Sequence, residues 1–109
     1  MSSGQLTSLN LSQNLITSEG ITQFCQIIKF SPAVRLRHLD LSQNLLGDEG
    51  AEAIASFLSQ NATLLRLFIT DCGVTDQGAN QILSALRTNK TLQQMQYGGQ
   101  TKTANVISK

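Results

Sequence analysis

Side chains able to do chemistry are few and scattered. The chain has one histidine, His38, and two cysteines, Cys25 and Cys72. A general base needs a nucleophile or acid held beside it, and zinc needs three or four nitrogen, sulfur or carboxylate ligands. No second histidine and no cysteine pair stands at ligand spacing. Asp48-Glu49, Glu19 and Asp76 resemble acidic pairs, but they fall where helices should begin. There a carboxylate meets the positive end of the helix dipole. Gly98-Gly99 lacks the Lys-Ser/Thr of a phosphate loop, and no serine has a nucleophile-elbow context. The expectation is therefore no enzyme, no cofactor and no metal. Recognition chemistry remains. Arg37, His38 and Asp40 form one cluster, and Leu65, Arg66 and Phe68 another. Arginine beside an aromatic ring is common material for protein interfaces.

The elements that would hold these clusters repeat. Leu36, Leu39, Leu41 and Asn44 are matched by Leu6, Leu9, Leu11 and Asn14, by Leu64, Leu67, Ile69 and Cys72, and by Leu92, Met95, Tyr97 and Gln100. The Leu39-x-Leu41 alternation is that of a short strand. A helical face follows in each unit: Ile21, Phe24, Cys25 and Ile28; Ala51, Ile54, Ala55 and Leu58; Ala79, Ile82, Leu83 and Leu86. Gly20, Gly50 and Gly78 recur with the same spacing. One strand and one helix cannot bury their apolar faces alone, so each unit needs neighbours of its own kind.

The pattern L-x-x-L-x-L-x-x-N/C-x-L resembles the leucine-rich repeat. The long unit, with a Gly-Ala pair opening the helix at Gly50-Ala51 and Gly78-Ala79, resembles the ribonuclease-inhibitor-like subclass. The resemblance implies an α/β fold: a right-handed horseshoe solenoid of about three and a half repeats. A short parallel sheet lines the concave side, and helices line the convex side. The expected organisation is a disordered leader 1–5, repeats 6–35, 36–63, 64–91 and a partial 92–100, then a tail 101–109. By family habit the resemblance also implies protein binding. Ran GTPase-activating proteins and the sensor tails of nucleotide-binding innate immune receptors are similar to the same repeats. They give the alternative readings: regulator of a small GTPase, or receptor fragment. Tyr97 and the arginines match no motif of the Ran GTPase-activating proteins, so no residue is carried over from them.

Strands are expected at 6–11, 36–41, 64–69 and 92–97. Thr17 or Ser18, Asp48 and Asp76 are the expected helix caps. Pro32 should end the first helix near Ser31, Gly98-Gly99-Gln100 should break the ladder, and Val106 and Ile107 should cover the last layer. The Asn14 and Asn44 amides should bond backbone groups where strands turn away, with Cys72 in that place in the third unit.

Composition fits a binding module. The net charge of +1 leaves no electrostatic footprint for nucleic acid or an anionic membrane, and neither is expected as a partner. No apolar stretch is long enough for a signal or a span. Cys25 and Cys72 occupy different layers of the template, so no disulfide is expected, which fits a reducing, cytoplasmic location. The triplets beginning at Asn10, Asn61 and Asn89 match the glycosylation pattern by coincidence under that reading.

Between the leucines, the template aligns Asn10, Asp40, Phe68 and Gln96 in one row, and Thr7, Arg37, Leu65 and Gln93 in another. Leu65 and Phe68 should form a small exposed apolar spot flanked by Arg37, His38, Arg66 and Asp40. These six are the candidate partner-binding residues. Both end strands should be uncapped, which implies either a section of a longer array or self-association through the end strands.

Overall fold

The computed structural model describes residues 7–30, 35–97 and 103–104. The expected leader, the helix end at Ser31-Pro32, the break at Gly98 to Gln100 and the cover by Val106 and Ile107 lie outside the described residues. Strand and helix alternate: β1 (Ser8–Asn10), α1 (Ser18–Lys29), β2 (His38–Asp40), α2 (Gly47–Gln60), β3 (Arg66–Ile69), α3 (Asp76–Ala85), β4 (Gln94–Tyr97) and β5 (Thr103–Ala104). The strands are shorter than their leucine-to-leucine spans, because the ladder begins only after the first leucine of each unit.

β1 to β4 pair in parallel and in chain order. Leu9 stands beside Leu39, Leu39 beside Leu67, and Leu67 beside Met95. Helical crossovers joining parallel neighbours run right-handed, and they place sheet and helices in two layers. Between the layers lies one strip of core. Leu36, Leu41, Leu64, Leu67, Ile69, Leu92 and Met95 from the sheet side meet Ile21, Ala51, Ile54, Leu58 and Ile82 from the helices.

The sheet is not wholly parallel. β5 pairs antiparallel with β4, placing Ala104 beside Met95 and Thr103 beside Gln96. The expectation of two uncapped edges is thus corrected at this end, and with it self-association through β4. A returning strand satisfies edge N–H and C=O groups that would otherwise template pairing with another chain.

The amide ladder is as expected. Asn44 is 2% exposed. Its Nδ2 donates to Leu41 O at 2.8 Å and to Leu11 O at 2.9 Å, and its Oδ1 accepts from the Ile16 amide at 3.0 Å. Cys72 Sγ likewise donates to Leu41 O at 3.0 Å. Each of these side chains therefore ties its own unit to the preceding one. The residue just before each rung, Gln13, Gln43 or Asp71, takes a left-handed φ of 55–61°, which the leucine pattern does not announce.

Two helix starts differ from expectation. Thr17 caps α1, accepting from the Gly20 amide. Thr75 rather than Asp76 caps α3, because its Oγ1 reaches the Gln77 amide at 3.3 Å. In α2 Asp48 is not the cap, and no side chain caps that helix. Gly47 occupies the place of Thr17 and Thr75, with φ +65°, and its amide donates to Cys72 O. Asp48 is thereby released to the next unit.

At the far ends of the helices, Asn61 and Asn89 do similar work. Asn89 is 2% exposed. Its Nδ2 donates to Leu58 O and Asn61 O, both at 2.8 Å, and its Oδ1 accepts from the Thr91 and Leu92 amides. Asn61 Oδ1 accepts from the Thr63 and Leu64 amides. These positions serve as structural caps.

Candidate partner-binding face

The sheet alternates, so while Leu39 and Leu67 enter the core their neighbours face away from it. On β2 and β3 this produces two rows. His38 lies beside Arg66, and Asp40 beside Phe68. β4 extends the rows with Gln94 next to Arg66 and Gln96 next to Phe68, while Ser8 and Asn10 extend them on β1. Arg37 and Leu65 precede the strands. The Leu65 and Arg66 amides both donate to Arg37 O, at 2.7 and 2.9 Å, and the Arg37 and His38 amides both donate to Thr7 O. Two amides sharing one carbonyl shift these positions off the regular ladder, as in a bulge.

All six candidate residues thus fall on one patch two strands wide. Arg37 and Arg66 are exposed, while His38, Asp40, Leu65 and Phe68 are half-buried. The apolar spot is therefore less open than the sequence pattern implies, because each side chain on a concave sheet is flanked by strands on either side. Phe68 and Leu65 do not belong to the core cluster. Asp40 is engaged locally, since its Oδ1 accepts from the Ser42 amide at 3.0 Å. Ser42 Oγ in turn accepts from the amide and hydroxyl of Thr70, at 3.1 and 2.9 Å. The strand exits beneath the patch are fixed by these bonds, so its side chains project from a rigid base.

Two other features lie off this face. Leu15 and Leu45 are 81% and 61% exposed. They hold the same template position, just after Asn14 and Asn44, and equal spacing was the available signal for them. A groove of about 770 Å³ runs between α1 and α2, with Cys25 and Phe57 in its lining and Lys29, Arg35, Glu49 and Glu52 around it. Both cysteines are free and buried. Burial pushes the Cys25 thiol up to about 12 and raises Cys72 as well. Among the described residues no group of three or more His, Cys, Asp or Glu is placed to hold a metal ion, and no helix is long and apolar enough to cross a membrane.

The Leucine Rich repeat family pattern matches residues 6–25, 36–55 and 60–82, together more than half of the chain. The chain belongs to the leucine-rich-repeat family, in its ribonuclease-inhibitor-like form. Mouse ribonuclease inhibitor is 35% identical over 92 residues, which span 84% of this chain and 20% of that protein. Mouse centrosomal protein of 78 kDa is 47% identical over 45 residues, 41% of this chain and 6% of that one. Among solved structures, leiomodin-1 actin-binding site 2 superposes with a TM-score of 0.76 at 28% identity, covering 86% of this chain and 54% of that chain. The chain therefore spans a fifth or less of the curated relatives it matches.

Proposed function

We propose that this chain is a non-catalytic protein-binding scaffold, and that the β2–β3 patch of Arg37, His38, Asp40, Leu65, Arg66 and Phe68 contacts the partner. The observation carrying this reading is the register. It seats Phe68 between Asp40 and Gln96, and Arg66 between His38 and Gln94, on a sheet whose other face is core. An aromatic ring and arginines held at low conformational cost are what binding hot spots require. The similarity to an actin-binding repeat domain and to a ribonuclease inhibitor supports a protein as the partner. Their greater lengths support the reading that these repeats belong to a longer array. The two unpaired cysteines support a reducing, cytoplasmic setting.

The test is affinity capture followed by titration with the purified captured protein. Phe68→Ala and Arg66→Ala should each weaken binding at least tenfold, about 1.4 kcal/mol or more. Glu52→Ala, on the opposite face, should leave it unchanged. Equal binding by all three variants would overturn the assignment.

A further inference from the structure

Every helix in the stack has a face for the unit before it and a face for the unit after it. The face of α2 turned toward α1 carries Glu49, Ala53 and Phe57 on the wall of the shared groove. Thirty residues earlier α1 carries Glu19, Gln23 and Ile27 at the same template positions. Phe57 is packed against the core, and so is Ala85, its counterpart on α3. Ile27 instead has 64% of its surface exposed, and Phe30 at the C-cap has 75%.

The glycines repeat the contrast. A Cβ on Gly50 would meet Ile21 Cγ2 at 3.4 Å and Ser18 Cα at 3.6 Å, and one on Gly78 would meet Ala51 Cβ at 2.9 Å, all in the preceding unit. Among the described residues, a Cβ on Gly20 would meet Ile16 and Thr17 of its own turn and nothing of another unit. The amide rungs agree. Asn44 and Cys72 each donate to a carbonyl of the preceding unit, Leu11 O and Leu41 O, whereas Asn14 donates to Leu11 O and Ser12 O within its own. β1 is the edge strand at the same end.

We propose that the outer face of α1 and β1 is a stacking surface for one further leucine-rich-repeat unit. That unit sets a strand parallel to β1, offers a strand-exit carbonyl to Asn14, and lays its helix over Gly20 and Ile27. Gly20 leaves the room for close approach that Gly50 and Gly78 use. A second copy of this chain does not stack head-to-tail here, because that would need its β4 edge, which β5 occupies. This inference rests on the longer-array part of the proposed function and is independent of the concave contact.

The test inserts a second copy of residues 36–63 between Gln5 and Leu6, reproducing the Thr63–Leu64 junction. Amide exchange in α1 should slow by about tenfold or more, as it does when a neighbour adds an interface to a repeat. Ile27→Glu should leave α1 exchange nearly unchanged in the original chain and accelerate it in the extended one. A parallel insertion of residues 64–91 guards against a single unfavourable graft. If neither insertion slows exchange in α1, or if Ile27→Glu acts equally in both chains, the surface is not a stacking face. Binding by the concave patch is not read in this experiment, so the two proposals fail separately.

Discussion

The carboxylate of Asp48 accepts two hydrogen bonds from Thr75, one from its backbone N–H at 2.8 Å and one from its hydroxyl at 2.6 Å. Thr75 Oγ1 meanwhile accepts from the Gln77 amide. The first turn of α2 therefore holds the cap of α3, and the relay crosses from one repeat to the next. These bonds favour the charged carboxylate, the Thr75 hydroxyl most and its amide next, and they hold Asp48 below its ordinary value. A lowered folded-state value stabilises the fold above the unfolded value of ~3.9 and loses that effect as pH falls through the folded one. Asp48→Asn should lower the thermal midpoint at neutral pH. The gap to the parent chain should close as the pH falls below about 4, which a pH series of melting curves will check.

Two glycines of equal template position should respond with opposite signs. A Cβ at Gly78 would collide with Asp48 Oδ1 and lie 2.9 Å from Ala51 Cβ. Asp48 is tethered by Thr75 and Ala51 is buried, so neither gives way cheaply. At Gly20 the nearest atom, Ile16 Cγ2, is at an ordinary 3.4 Å. Gly78→Ala should destabilise, while Gly20→Ala should gain about 0.5–1 kcal/mol from helix propensity. Denaturant unfolding of the two variants separates these outcomes.

The two ladder asparagines should likewise differ. Asn44→Ala leaves the Ile16 amide without its acceptor and the Leu41 carbonyl with only the weak Cys72 thiol as a side-chain donor. An orphaned buried polar group costs ~1–3 kcal/mol. Asn14 is exposed, and water can replace its two bonds. Asn14→Ala should therefore cost much less than Asn44→Ala in the same unfolding assay.

Cys25 should be chemically silent in the folded chain. With its thiol pushed up to about 12 by burial, it carries almost no thiolate at neutral pH. Iodoacetamide near pH 8 should label it only after denaturant is added. A raised folded-state value also means that stability is intact below the unfolded value of ~8.5 and is lost as pH climbs toward the folded one. Cys25→Ala should flatten that alkaline decline.

Adjacent residues on β3 distinguish core from contact surface. Leu67 is 1% exposed, and Leu67→Ala should cost ~2–5 kcal/mol. Phe68→Ala should leave unfolding nearly unchanged, because Phe68 lies outside the core cluster. Equal losses in a denaturant titration would mean that Phe68 packs as a core residue.

Periodicity by itself determined the units, the parallel register and the buried set. Leu39 and Leu67 could be assigned inward because strand alternation and the recurrence of the leucine pattern in each unit put both in the one row that can be buried. Asn44 and Cys72 were legible for the same reason: a buried turn needs a polar rung at one fixed place. The tertiary structure decided what depends on neighbours. Asp48 has the composition of an N-cap, yet it serves the next helix, because Gly47 stands where Thr17 and Thr75 stand and a carboxylate reaches across the units. Asn89 reads as a polar helix end and is a buried cap, since its partners Leu58 and Asn61 lie a whole repeat away. β5 obeys no repeat, so its antiparallel return onto β4 is set only by the open edge it meets. The half-burial of Phe68 follows from flanking strands that no linear pattern records.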